Sequence, residues 1–321
     1  MDWFGAANNW PLIAARAVHF AATAITAGNL VFTAAVAGPA LRSKQAEAGL
    51  FRAQTSLVAW LGLATVLISG AIWFLLQAAA MAGVSLREAL NSEVLSTVAN
   101  ETQFGQVCEI RLALAIVLAA CLAARRQGRL VEWLALGCAI GLAMAIAWTG
   151  HAAGTLGEIG YLHLIADALH VVAASAWIGG LVSLVLLLWD IQHSPTVSWA
   201  SRAEITVRRF SILGIISVAT LLATGTVNAW ILVGSFEALL VTEYGRMLTL
   251  KLIVFAAMLA IAAFNRLWLM PRLVSATANQ PQIDALRLLT RNSAIEIVLG
   301  FAIFAVVGML GTMHPAIHFF L

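Results

Sequence analysis

The chain has 321 residues, 62% of them hydrophobic and only 10% charged, and its mean hydropathy is +0.93. Soluble proteins carry roughly 25% charged residues, so most of this chain is expected to meet lipid rather than water. The net charge of +3 comes from basic residues scattered through short loops, which excludes a nucleic-acid footprint. Three widely spaced cysteines, Cys108, Cys121 and Cys138, contain no Cys-x-x-Cys pair, which argues against a disulfide framework or a thiolate cluster.

The N-terminus, Met1-Asp2-Trp3, lacks a basic n-region, and the first apolar run is too long for a signal h-region, so it is expected to be retained. A spanning helix needs about 20 mostly apolar residues. Eight segments qualify: 12–39, 55–80, 105–124, 133–151, 163–189, 210–233, 247–269 and 292–313. The expected fold class is an all-α integral membrane protein with eight transmembrane helices.

The first span carries His19 within RAVHFAATAITAGNL and is followed by Arg42, Lys44 and Arg52. The second contains ISGAIW. The third begins near Gly105, carries Arg111, and leads to Arg125, Arg126 and Arg129. The fourth ends in WTGHA, with His151 sharing a helical face with Met144 and Trp148. The fifth opens with His163, Asp167 and His170, whose spacing also places them on one face together with Trp177, within DALHVVAASAWIGGL. Arg202, Arg208 and Arg209 precede the sixth span, which contains ATGTVNAW. The seventh begins near Gly245, carries Lys251, and is followed by Arg266 and Arg272. Arg287 and Arg291 precede the eighth, which holds Glu296 and ends in LGTMHPA, with Met313, His314 and then His318. Glu296 is expected to pair with Arg291 or Arg266, and Arg111, Lys251 and Asp167 could pair across the bundle.

Thirteen of the eighteen basic residues fall in or beside the odd-numbered loops. The positive-inside rule makes those loops cytoplasmic and both termini periplasmic. Trp10, Trp133, Trp189 and Trp268 fall near the predicted interfaces, where amphipathic rings are favoured. Six of the seven histidines then lie toward the periplasmic face, and only His193 lies in a cytoplasmic loop.

The two halves also align. His19 precedes Gly28 by nine residues, and His170 precedes Gly179 by nine; Gly105 precedes Arg111 by six, and Gly245 precedes Lys251 by six. Four helices return the chain to its starting side, so the repeats, 1–151 and 152–321, are expected to run parallel about an axis along the membrane normal. The register pairs His19 with His170 and His151 with His314, and the first pair is expected to meet near that axis.

Imidazole, thioether and carboxylate together suit copper, since thioether favours Cu(I) and imidazole serves either valence; methionine is a poor zinc ligand. The candidate ligands are His19, His151, His163, Asp167, His170, Met313 and His314. Asp167 could instead orient a ligating histidine. Ionisable groups inside spans are costly and are usually functional, which singles out His19, His151 and His170. Two other readings stay open: a haem b electron carrier with axial histidines, and a non-transporting assembly factor.

Over residues 163–316, DALHVVAASAWIGGL, RFS, ATGTVNAW, VGS, TEYGRMLTLK, FNR, MPRL, RNSAIEIVLG and VGMLGTMHPA form an ordered set. This set resembles the CopD/PcoD family of bacterial copper-resistance inner-membrane proteins. The N-terminal half agrees more loosely, through His19 and the GHA at 150–152. The resemblance implies a multi-pass inner-membrane protein that handles a copper ion alongside a periplasmic CopC-like partner. Some relatives carry a fused copper-binding domain, for which this chain is expected to leave no room outside its spans. It contains neither a GxxxxGK[ST] phosphate loop nor a DKTG phosphorylation motif, so neither an enzyme nor an ATP-driven pump is expected.

A reporter fused after Leu321 should be active in the periplasm, and one inserted at 270–290 should be active in the cytoplasm. Reversed activities would turn the histidine-rich face toward the cytoplasm.

Overall fold

The computed structural model describes residues 10–38, 49–124, 128–193, 199–273 and 280–319, and among these every element is helical. Eight helices are long and apolar enough to cross a membrane: α1 (Trp10–Ala37), α2 (Gly49–Ala82), α3 (Gln103–Ala123), α4 (Arg129–Thr149), α5 (Gly157–His193), α6 (Ser201–Val233), α7 (Glu243–Leu273) and α8 (Gln282–Leu310). Of the loop residues used to orient the chain, Arg42, Lys44, Arg125 and Arg126 lie outside the described residues.

The number and order of the spans match the apolar segments, but several helices run further than their apolar cores. α2 starts six residues before the segment at 55–80, and α6 and α8 begin with the polar turns SRAEITVRR and QIDALRLLTRNS. The apolar criterion reads where hydrocarbon ends. A helix satisfies its backbone internally and continues past that boundary when its residues have adequate helix propensity. Short helices at Leu86–Ala89, Ser92–Glu101 and Phe236–Val241 link spans at the end of the bundle opposite the basic loops. Ser85 starts the first of these with a capping box: its hydroxyl accepts from the Glu88 amide while the Glu88 carboxylate accepts from the Ser85 amide.

α1 and α5 form the centre. In each, 67% of the most apolar window is buried, far more than in α6 or α7. α1 packs on α2, α4, α5 and α8, and α5 packs on α1, α4, α6 and α8. The two cross where Gly28 meets Gly179. A Cβ on Gly28 would run into the carbonyl oxygen of Ser175 and come within 2.6 Å of the Gly179 backbone; a Cβ on Gly179 would run into the carbonyl of Ala24 and come within 3.1 Å of the Gly28 Cα. The contact is reciprocal, because Ala24 stands to Gly28 as Ser175 stands to Gly179 in the chain. A π-helical turn occupies Ser175–Gly179 at the crossing. Lipid cannot drive helices together by hydrophobicity, so close backbone approach at small residues supplies dispersion contacts instead.

Next to the glycines, Asn29 is fully buried and ties three helices together. Its Nδ2 donates to the Thr55 carbonyl on α2 (2.8 Å), and its Oδ1 accepts from the Ser183 hydroxyl on α5 (2.9 Å). At the other end of the bundle from the histidines, Glu296 accepts from Asn265 Nδ2 (2.9 Å), and Asn265 Oδ1 accepts from Asn292 (2.8 Å). The partner of Glu296 is thus a neutral amide rather than Arg291 or Arg266; Arg266 bonds Ser211 on α6.

Gly28→Ala should destabilise the protein by about 1–3 kcal/mol, the usual cost of overpacking a closed interior. Gly214→Ala, where an added Cβ meets nothing within 4 Å, should be neutral or slightly stabilising. Melting temperatures in detergent compare the two; equal behaviour would mean the crossing is not tightly closed.

Candidate metal centre

Six of the seven candidate ligands fall into two separate neighbourhoods, and the seventh, His314, is exposed. His19, on α1, is buried between α2 and α3. Its Nδ1 lies 3.0 Å from the Ser69 hydroxyl, which itself donates to the Thr65 carbonyl (2.5 Å). Ser69 must therefore accept, and Nδ1 carries the proton. Nε2 bonds Arg111 on α3, and since a guanidinium only donates, Nε2 is the acceptor. Both ring nitrogens of His19 are thus engaged in a neutral tautomer. Its ring leans on Trp73 at 5.3 Å between centroids, and the Arg16 guanidinium lies 5.1 Å from the Trp73 ring centroid and 5.5 Å from that of Phe20. This pocket contains two cations.

His170, on α5, is turned toward α6. Its Nδ1 is 3.0 Å from Thr224 Oγ1, and that hydroxyl donates to the Thr220 carbonyl (2.7 Å). Nδ1 therefore carries the proton here too. Among the described residues nothing bonds Nε2, so its lone pair is open. A metal-ligating histidine has this arrangement, with one nitrogen held by a polar neighbour and the other available. One helical turn before it, the Asp167 carboxylate accepts from Asn228 Nδ2 on α6 (3.1 Å) and lies within electrostatic reach of Lys251 and Tyr244 on α7. Lys251 also acts on His170. An acidic and a basic side chain thus face the same pocket.

His151 and His163 lie nearby. His151 Nε2–H donates to the Leu310 carbonyl (3.1 Å), and its ring meets Tyr244 edge-on at 5.9 Å. His163 is buried; its Nδ1 sits 2.8 Å from the Thr155 hydroxyl, and it is within electrostatic reach of His151. Tyr244 is thus a neighbour of both His151 and Asp167. It belongs to a buried cluster that includes Met247 and Met309, with Met313 packed against it. His314 is exposed beside Met313. The side chain of His318 lies outside the described residues.

His151, His163, Asp167, His170 and Met313 therefore fall along one side of the molecule formed by α5, α6, α7 and α8, and His19 stands apart among α1, α2 and α3. Among the described residues no three His, Cys, Asp or Glu side chains form a group able to hold a metal ion. Met247 was not anticipated as a neighbour of the histidines. A signal existed in GRMLTLK, where it lies four residues before Lys251, on the same helical face.

Comparison with known proteins gives a consistent result. A family model described as copper resistance protein D matches residues 204–310, and one described as copper resistance protein D-like, N-terminal domain, matches residues 7–161. Copper resistance protein D of Pseudomonas syringae pv. tomato is 29% identical over 271 residues, covering 83% of this chain and 84% of the relative. Inner membrane protein YebZ of Escherichia coli (strain K12) is 29% identical over 305 residues, covering 94% and 98%. Copper transport protein CutJ of Bacillus subtilis (strain 168) is 33% identical over 231 residues, covering 70% of this chain and 40% of that longer relative. No solved structure matches the chain.

Proposed function

We propose, from the premise that this chain belongs to the copper resistance protein D family, that it takes copper from the periplasmic side and passes it into the bundle through its C-terminal half. It is a multi-pass protein of the bacterial inner membrane, and its relatives support a role in copper homeostasis. In this reading the protein binds and moves a copper ion and catalyses no covalent chemistry.

The observation that carries the reading is His170, whose Nδ1–H is held by Thr224 while Nε2 stays open. His314 and Met313, at the mouth, receive copper from a periplasmic CopC-like donor. His151 and His163, with the nearby methionine sulfurs, take it inward, and Asp167 and His170 form the deepest station. Stations of few ligands suit transfer, since a closed cage would hold the ion. Thioether sulfur beside imidazole matches copper and fits Cu(I) in particular. His19 is outside this set, because Arg111 and Ser69 take both of its nitrogens.

The distribution of basic residues supports periplasmic termini. The parallel four-plus-four repeat is supported by register: Gly28 and Gly179, paired in the alignment, touch reciprocally, and His19–Ser69 is matched by His170–Thr224, each hydroxyl preceding a glycine.

Copper loading of purified protein, measured by metal analysis, tests the assignment. His170→Ala should lose most bound copper. Thr224→Val should lose affinity by about 10–100-fold, the usual effect of removing a group that orients a ligand. His19→Ala and His193→Ala should load like the wild type. Full loading of His170→Ala would refute the site, and a Soret band in the wild type would replace copper with haem as its occupant.

A further inference from the structure

The pocket round His19 contains more positive charge than the fold neutralises. Arg16 and Arg111 are 5% and 6% exposed, and Trp73, beside them, is 2% exposed. Arg16 Nε, Arg111 Nη1 and Trp73 Nε1 are all buried N–H donors with no hydrogen-bond partner. No carboxylate among the described residues acts on either guanidinium; the ionisable neighbours are His19, neutral by its hydrogen bonds, and the thiol Cys108. An uncompensated charge held out of water is strongly unfavourable even after relaxation, and each unsatisfied buried donor adds to that cost. Two such cations in one pocket call for a counter-ion.

The other half shows which kind. In the register that aligns His19 with His170, Ser69 corresponds to Thr224, Arg111 to Lys251, and Arg16 to Asp167. The C-terminal pocket supplies its own carboxylate to face its buried cation. The N-terminal pocket has an arginine at that position, so the carboxylate is missing and a second cation replaces it. We infer that Arg16, Arg111 and Trp73 form a binding site for a carboxylate-bearing small anion. Guanidinium forks match a planar two-oxygen group, and the indole N–H adds a third donor. The pocket lies near the histidine-bearing end of the bundle. Arg16 is two turns into α1, and its guanidinium abuts Gly311, just past the end of α8. An anion therefore has a short path from the periplasmic water. The inference does not require that copper be carried.

The test is the melting temperature of the protein in neutral detergent, with a bulky sulfonate as the sole buffer anion. Formate is titrated at constant ionic strength. Wild type should show a saturable rise of about 3 °C or more, as expected for a ligand that binds only the folded state. Arg111→Gln should lose that rise. Arg16→Asp installs the carboxylate of the other half and should fold without responding to formate. A flat wild-type titration would overturn the site even if the variants do not fold, and so would an Arg16→Asp protein that responds like wild type. An equal rise with chloride would overturn the carboxylate assignment. Copper loading is measured on the same samples; its loss with formate binding intact would count against the copper reading alone.

Discussion

The bundle is organised by one close approach, the passage of α1 across α5 at Gly28 and Gly179. In lipid, the force that collapses a soluble core is missing, so helices hold where their backbones come near and where buried polar groups find partners. Both occur within one turn here. The glycines let the helices touch, and Asn29 bonds α2 and α5 at once. The other six helices pack round this pair, which leaves α6 and α7 largely facing outward. The histidines sit further along the same two helices. The histidines meet different neighbours, His19 on α2 and His170 on α6.

That divergence gives one motif two chemistries. Each histidine gives its Nδ1 proton to a hydroxyl on the neighbouring span. The remaining nitrogen then meets opposite surroundings. In the N-terminal half it accepts from a guanidinium, with a second guanidinium close by; in the C-terminal half it is open, with a carboxylate one turn away. Two guanidiniums make the first pocket strongly basic, whereas the second brings a carboxyl group and an amine together. The two surroundings thus differ chiefly in one residue three positions before the histidine, Arg16 in the first and Asp167 in the second.

Much of the fold could be read from the residues because lipid imposes a simple rule. Long apolar runs locate the spans, and a nine-residue interval from histidine to glycine recurs in both halves. Helix ends were less legible, since α2, α6 and α8 continue through polar turns that no hydropathy criterion captures. Partners of buried ions were the least legible. Arg111 was open to pairing across the bundle and instead bonds His19; Glu296 was expected on an arginine and instead meets Asn265. Such choices depend on which side of a helix faces which neighbour, and near-uniform apolar spans give little amphipathic signal to set that rotation.

The polar residues of α1 also bear on how the protein is made. Asn29 and its partner Ser183 are 154 residues apart in the chain, so α1 leaves the ribosome long before α5 exists. During that interval its arginine, histidine and asparagine face lipid or insertion machinery without their final contacts, on the least hydropathic of the eight spans. The first helix is therefore the one most in need of shelter during biogenesis, and its settlement in the bilayer is complete only when the second half of the chain has been synthesised.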